Sequence, residues 1–594
     1  MKKNIGKILC LSLALTCAAS SFAACGPTGG DGIDKNKTQL YVGLVPSGYG
    51  NSWLYKAIER FEKEYANYEF EPGTGKKGAQ IIVDDVPYGN TIATSLPTAR
   101  YEVVYTEDVN YFDLINKGLL YDMTSIVNAE FADTDANGAA ITSTLADKIA
   151  VDYIEEVYTH NGKIYALPFV ANDRGIIYDR DLFEEKGYFF IASNPDNNDY
   201  TAYKQGGAYL MGKESDADTK LSQGRDGKPG TYDDGLPATY EQFFALFKQM
   251  IQDGVTPITW TGMYPSYFTN WITALWANNE GYDQMMLNYT FNGTATTLVN
   301  SVSDNGAVTL KGATSINQDN GYELYSQAGR YYALDFADKV IDEMDKRDPK
   351  GYNALFKDSI DHLTAQDNFI KSVTRAENDS ANYSRIAMLL DAIHWENEAS
   401  GTFAAMASQD DSMSKMERKF GWMPFPHYAT NEEDIATAPL YVDCSSAMMF
   451  MNATVKSEKL DIATKFVQFM HTRESLVEFT QTTSMIQPYA YELTSAEQSK
   501  MTYFGKDVYA KYSESIKADG TVKFLEPRAT NDVYKKNYTI FSLNSSNNWL
   551  TLSSKLGNTD VPRDALANYT AKDYFDGVVA RYTQSYWNTT VLGK

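Results

Sequence analysis

Between residues 40 and 105 the chain alternates two kinds of segment, and that alternation limits the folds open to it. Leu40-Tyr41-Val42-Gly43-Leu44-Val45 is an apolar run of strand length, followed by the turn-rich Pro46-Ser47-Gly48-Tyr49-Gly50-Asn51. Leu54, Ala57, Ile58, Phe61 and Tyr65 then recur at the spacing of one helix face, with Asn51 or Ser52 placed to cap it. Ala79 to Val86 and Glu102-Val103-Val104-Tyr105 read as a second and a third strand. Strands and helices in this order pack as a mostly parallel sheet flanked by helices, an α/β lobe. Ligands of such sheets sit beyond the carboxyl ends of the strands, which places Tyr49, Trp53 and Asp108 where a ligand would be.

A chain of 594 residues is too long for a single core, so two lobes are expected. The formal net charge of -24 argues against nucleic acid and anionic lipid headgroups as partners. The 43 Tyr, 28 Phe and 8 Trp supply flat apolar faces, many with a hydrogen-bonding tip, a chemistry suited to half-wet surfaces and to sugars. Of the four cysteines, Cys10 and Cys17 lie in the N-terminal apolar run. Cys444, in Tyr441-Val442-Asp443-Cys444-Ser445, reads as a small buried residue, so no disulfide framework is expected.

The remaining cysteine has its own context. Lys2, Lys3 and Lys7 precede an apolar run from Ile8, and Phe22-Ala23-Ala24-Cys25-Gly26 closes it, which is the pattern of a secretory signal. The last five residues resemble the lipobox of bacterial lipoproteins, with Phe22 where Leu is usual. The resemblance implies cleavage before Cys25, acylation of its thiol and display outside the cell membrane. Residues 1–24 are then a signal peptide, and 25–37, rich in Gly, Pro, Thr and Asp, a flexible tether.

Further along come Gly162-Lys163-Ile164-Tyr165-Ala166-Leu167-Pro168-Phe169, Ile176-Ile177-Tyr178-Asp179, Asp181-Leu182-Phe183, Ala387-Met388-Leu389-Leu390-Asp391 and Gly421-Trp422-Met423-Pro424-Phe425-Pro426. The strand-like 446–450 and a helix with Leu460, Ala463, Phe466, Val467 and Met470 inward follow. The order of these pieces resembles the extracellular solute-binding proteins of carbohydrate ABC transporters, the family of maltose-binding protein, over roughly residues 38 to 490. The resemblance implies a two-lobed periplasmic-binding-protein-like fold with a ligand cleft between α/β lobes. It divides the chain into a first lobe of 38–168 with 395–480 and a second of 169–394 with 481–594. The second ends on an amphipathic helix carrying Phe575, Val578, Val579 and Tyr582. Segments 191–236 and 288–320 exceed the family's usual length.

Strand-end loops supply the other ligand candidates: Asp173 and Arg174 after the first crossing, Trp260 and Tyr264, Trp395 and Glu396, and Asp443. Trp395 stands where the family often places a stacking tryptophan; Trp271, Trp276, Trp549 and Trp587 are assigned to the core. The function implied is a lipid-anchored, monomeric sugar- or oligosaccharide-binding subunit at the outer face of the bacterial cell membrane, which delivers its ligand to an ABC permease and needs no cofactor.

Two alternatives stay open. The five histidines form no metal pair, and neither a G-x-S-x-G elbow nor a phosphate-binding G-x-x-x-x-G-K-[ST] loop is present. A glycoside hydrolase needs only two carboxylates, which 77 Asp plus Glu readily supply. Separately, Asp226-Gly227-Lys228-Pro229-Gly230-Thr231-Tyr232-Asp233-Asp234-Gly235 sets three carboxylates on a glycine-rich loop. Asp226, Asp233 and Asp234 are candidates for a structural calcium ion, or form a solvated acidic turn.

Overall fold

The computed structural model describes residues 32–149, 158–171, 174–191, 210–215, 221–347, 359–429, 441–442, 447–515, 524–525, 533, 541 and 569–594. Two sheets organise them. The first holds β1 (Thr38–Leu44), β2 (Ala79–Asp85), β3 (Val103–Thr106), β4 (Leu167–Pro168) and β9 (Met448–Met451), in the spatial order β2-β1-β3-β9-β4. β1 lies parallel between β2 and β3, with Val42 opposite Val83 on one side and Val103 on the other. β9 runs antiparallel to both β3 and β4. The expected parallel core is therefore present, with one reversed strand inserted near its edge.

The second sheet holds β5 (Ile176–Asp179), β6 (Thr256–Trp260), β7 (Ile386–Leu390) and β8 (Phe420–Met423), in the order β6-β7-β5-β8. β6 and β7 are parallel, and β5 is antiparallel to β7 and β8. Every residue of β5 to β8 is buried. Such strands read as unbroken apolar runs because both faces are covered. Alternate residues go to opposite sides: Ile177, Leu389, Phe420 and Trp422 join the core shared with the first sheet, and Ile176, Tyr178, Met388 and Met423 a second core.

Helices cover both sheets. α1 (Ser52–Glu64) buries Trp53, Leu54, Ala57, Ile58 and Phe61, the face expected from its spacing. Phe61 meets Phe466 of the helix Leu460–Met470, and Trp53 meets Phe479 of the helix Arg473–Thr483. In the second lobe, α2 (Tyr240–Gln252) starts at a reciprocal cap between Thr239 and Gln242. α3 (Pro265–Glu280) and α4 (Ala328–Arg347) pack together, with Trp271 against Phe336. α5 (His362–Asn378) lies on β7, capped by Asp361, whose side chain accepts from the Thr364 N–H at 2.7 Å. The helix Ala571–Arg581 closes the second core, with Phe575 against Tyr331. Trp271, Trp276 and Trp587 are buried; Trp549 lies outside the described residues.

One expected boundary is corrected. Assigning all of 395–480 to the first lobe misplaces β8, which pairs with β5 in the second sheet. Gly421 is the physical reason for that seat: a Cβ there would overlap the Tyr178 ring, so only glycine lets the two strands approach. Phe420 and Trp422 on either side fill the space between Phe369 and Phe504. The chain thus returns to the first sheet after Met423, not at 394. The region from 481 is also divided. Ala171 bridges Ile486 and Tyr489 donates to the Pro168 carbonyl, both beside the first sheet. The helix Tyr503–Ser515 packs on β8 instead, where Asp507 accepts from the Trp422 N–H at 3.2 Å.

The insertions build small structures of their own. Phe189–Ile191 pairs antiparallel with Leu210–Gly212, and 293–316 folds into two short ribbons. Among the described residues no helix is long and apolar enough to cross a membrane.

Candidate functional site

The carboxyl ends of β1, β2 and β3 face those of β6 and β7. From the first sheet come Ser47, Gly48 and Tyr49 after β1, Tyr88 after β2, and Glu107 and Asp108 after β3. Ser47 donates to Glu107 at 2.8 Å, and Tyr88 donates to Asp108. Asp108 holds a left-handed backbone at φ 55, uncommon for a residue with a side chain. Tyr88 is 54 % exposed, a large ring left open at a strand end. From the second sheet come Met263 and Tyr264 after β6 and Asp391 and His394 after β7, with Glu398 one helical turn beyond. Arg174 enters where the chain crosses, bridging Ala392. α5 adds His362 and Gln366, four residues apart on one face.

These groups form a network. Glu398 accepts from Gln366 Nε2 at 2.7 Å and lies 3.4 Å from His394 Nε2 and 3.7 Å from His362 Nε2. Gln366 also donates to Asp391 at 3.0 Å. The ring of Tyr267 stacks on His362 at 5.9 Å, and Tyr264 lies 5.5 Å from the same imidazole. Burial alone would pull His394 down, but the charge and hydrogen bond of Glu398 outweigh it and hold the imidazole above its ordinary value. Burial pushes Glu398 up, yet His394 and His362 more than offset this and keep it ionised. Burial and the Glu398 charge push Asp391 up to about 7. Burial likewise raises Glu107, although His394 across the cleft draws it back. His394 Nδ1, His362 Nδ1 and Gln366 Oε1 are buried without a hydrogen-bond partner. Each such atom costs about 1–3 kcal/mol when left unsatisfied, so a cluster of them marks a place built for polar contact.

The structure of the chain is similar to three solved ones. A chitin oligosaccharide binding protein shares 14% identity over 92% of this chain and 100% of that one, with a TM-score of 0.47. A family 1 extracellular solute-binding protein from Bifidobacterium longum subsp. infantis shares 12% over 92% and 99%, at 0.45. A Thermus thermophilus maltotriose binding protein bound with maltotriose shares 14% over 92% and 99%, at 0.43. No protein-family model matches the chain, and no curated protein matches its sequence.

Of the residues expected from sequence, Asp108, Arg174 and Tyr264 come together here, and Tyr49 lies beneath them, buried with its ring edge-on to Phe169. Four others do not. Trp53 is buried among Tyr105, Phe169 and Phe479, with its Nε1 donating to the Gly50 carbonyl at 3.0 Å. Trp260 is buried within β6 against Phe268. Trp395, expected to stack on a ligand, is 0% exposed and ringed by Phe369, Phe403, Phe420 and Phe504 at 5.0 to 5.9 Å. It opens the short helix Trp395–Glu398, whose apolar side carries the indole into the core while His394 and Glu398, four apart, share the cleft side. Glu396 is buried too, accepting from Ser484 and Thr502. Asp173, Asp443 and Cys25 lie outside the described residues.

Sequence reasoning passed over Tyr88, Glu107, His362, His394 and Glu398. The His394–Glu398 spacing was a usable signal; a search for paired histidines overlooks a histidine paired with a carboxylate.

The glycine-rich acidic loop folds onto itself. Asp233 accepts from the N–H groups of Arg225 at 2.6 Å and Asp226 at 3.1 Å and from Thr231 at 2.9 Å. Asp226 accepts from the Lys228 N–H, and Asp234 from the Gly230 N–H. The three carboxylates named as calcium candidates thus accept hydrogen bonds within the turn, which buries Asp226 and Asp233 and leaves its tip, Lys228 to Gly230, exposed. Among the described residues no group of three or more His, Cys, Asp or Glu is arranged to hold a metal.

Proposed function

We propose that this chain is an extracellular, lipid-anchored binding subunit of an ABC-type importer, which captures a sugar or oligosaccharide between its lobes and presents the closed form to a permease. The observation that carries the reading is the meeting of two strand-end edges at one site of aromatic faces and charged hydrogen-bonding groups. Tyr88 and Tyr264 offer exposed rings that suit the C–H face of a sugar, and Glu107, Asp108, Arg174, His362 and His394 suit its hydroxyls. Strand-end clefts between α/β lobes close by hinge motion around a ligand, with few covalent crossings absorbing the change. The order of segments read from the sequence supports the same role, and Cys25 is the residue that would carry the anchor. Binding without turnover is part of the proposal.

A thermal-shift screen of the purified chain against mono- and oligosaccharides tests it, because a ligand of the native state alone raises the melting temperature. A saturable upward shift, with no product released on long incubation, is the expected result. A screen with no shift for any saccharide, or product formed beyond one equivalent, overturns it. For the anchor, Cys25→Ala should abolish acylation; a variant acylated like the wild type would remove that part.

A further inference from the structure

Beyond the core that they share, the two lobes meet inside the cleft at a crowded point. Gly48, in the loop after β1, has no room for a side chain: an added Cβ would lie 2.7 Å from Glu398 Cδ and would also overlap the His394 ring. Real Cβ atoms do not approach that closely, so this contact needs glycine. Ser47, next to it, holds Glu107 of the same lobe at 2.8 Å. A backbone from the first lobe and a His–Glu pair from the second are therefore pressed together, with a second carboxylate alongside.

We propose that this contact is a proton-controlled latch, in which cationic His394, set between Glu398 of its own lobe and Glu107 of the other, holds the lobes closed. The proposal rests on reading the cleft as the interlobe ligand site. The groups facing His394 are Glu398 from the short helix, Asp391 from the end of β7, Glu107 from the end of β3 and Arg174 from the crossing. His362 and Gln366 from α5 hold Glu398 on its far side, and Tyr267 from α3 lies within the field of the same carboxylates. Asp108 beside Glu107 is open to solvent.

At mildly acid pH, His394 and Arg174 face an ionised Glu398, while Asp391 is protonated below about 7. As pH rises, His394 loses its proton and Asp391 gains a charge. Among the described residues, Arg174 is then the one cation that Glu107, Asp391 and Glu398 face, in a poorly hydrated site, and separating the lobes relieves their repulsion. Closure should thus weaken with rising pH.

Small-angle scattering of the full mature chain without ligand, at about pH 5.5 and about pH 8.5 on either side of an ordinary imidazole, tests the latch. The radius of gyration should be smaller at the acid value. His394→Gln should abolish that difference, and Glu107→Gln should reduce it. Gly48→Ala should give the larger radius at both values, with an unchanged far-ultraviolet spectrum. An equal wild-type radius at both values, or a full difference retained in His394→Gln, overturns the proposal. No sugar enters the measurement, so the latch and the sugar-binding reading fail separately.

Discussion

The two lips of the cleft are built differently. The first-lobe lip is made of loops: Gly48 in a turn, Asp108 in a left-handed backbone, and Tyr88 donating its hydroxyl to Asp108. The second-lobe lip is made of helix ends: His394 and Glu398 span one turn, and His362 and Gln366 span another at the start of a capped helix. A group on a helix end is fixed by the packing of the helix behind it, whereas a loop group is fixed by a few hydrogen bonds. The contrast implies that the second lip sets the shape of the site and the first adapts to it. It also implies that substitutions behind the second lip cost stability, and substitutions on either lip cost affinity.

The largest effect expected is on the packing behind the second lip. Trp395→Ala should lower stability by about 3–5 kcal/mol, the range for truncating a buried aromatic ring, as read by denaturant unfolding. If the variant instead unfolds like the wild type and loses sugar affinity, the indole belongs to the cleft and the contrast between lip and core breaks.

Next in size is a pH effect on that same packing. Burial pushes Glu396 up to about 7 from 4.5. A carboxyl raised in the folded state favours the protonated form, so its contribution is complete below 4.5 and lost as pH rises through about 7. Stability should therefore fall between those values by roughly 2–3 kcal/mol through this group. Glu396→Gln should flatten that part of the profile, and an unchanged slope would show that Glu396 stays charged.

The lips themselves come third. Tyr264→Ala and Tyr88→Ala should each weaken binding of the best sugar found by roughly 1–3 kcal/mol, or about 5- to 150-fold in Kd, by analogy with aromatic stacking on bases. Calorimetric titration gives the number, and melting should barely move. A loss for only one of the pair would assign stacking to that lip.

The smallest effect serves as a control. Thr239→Ala removes one half of a reciprocal helix cap and should cost about 1 kcal/mol of stability without changing affinity. An affinity change there would mean that the second lobe transmits strain to its lip.

Much of the first lobe was legible because its signals are local. The β1–α1–β2–β3 order follows from spacing and from runs of apolar residues, and each strand lies within two residues of its expected place. The strand-end rule put Tyr49 and Asp108, and the first crossing put Arg174, beside the cluster described above. The return of the chain was not legible. Phe420-Gly421-Trp422-Met423 is apolar enough for either sheet, and only the fit of Gly421 against Tyr178, 243 positions earlier, decides between them. The tryptophans misled for a similar reason. An indole near a strand end suits a ligand and a core equally, and three of the four phenylalanines that surround Trp395, namely Phe369, Phe420 and Phe504, come from other segments.

The position of β9 bears on how the protein is made. It sits between β3 and β4, yet it is synthesised after every strand of the second sheet. A nascent chain therefore carries β3 with an unpaired edge until residues 448–451 emerge, by which time all four strands of the other sheet are available to pair. Assembly of the first sheet must wait for contacts spanning 280 to 348 positions of sequence, the kind of closure that slows folding. The last strand to arrive thus fixes the lobe that was begun first.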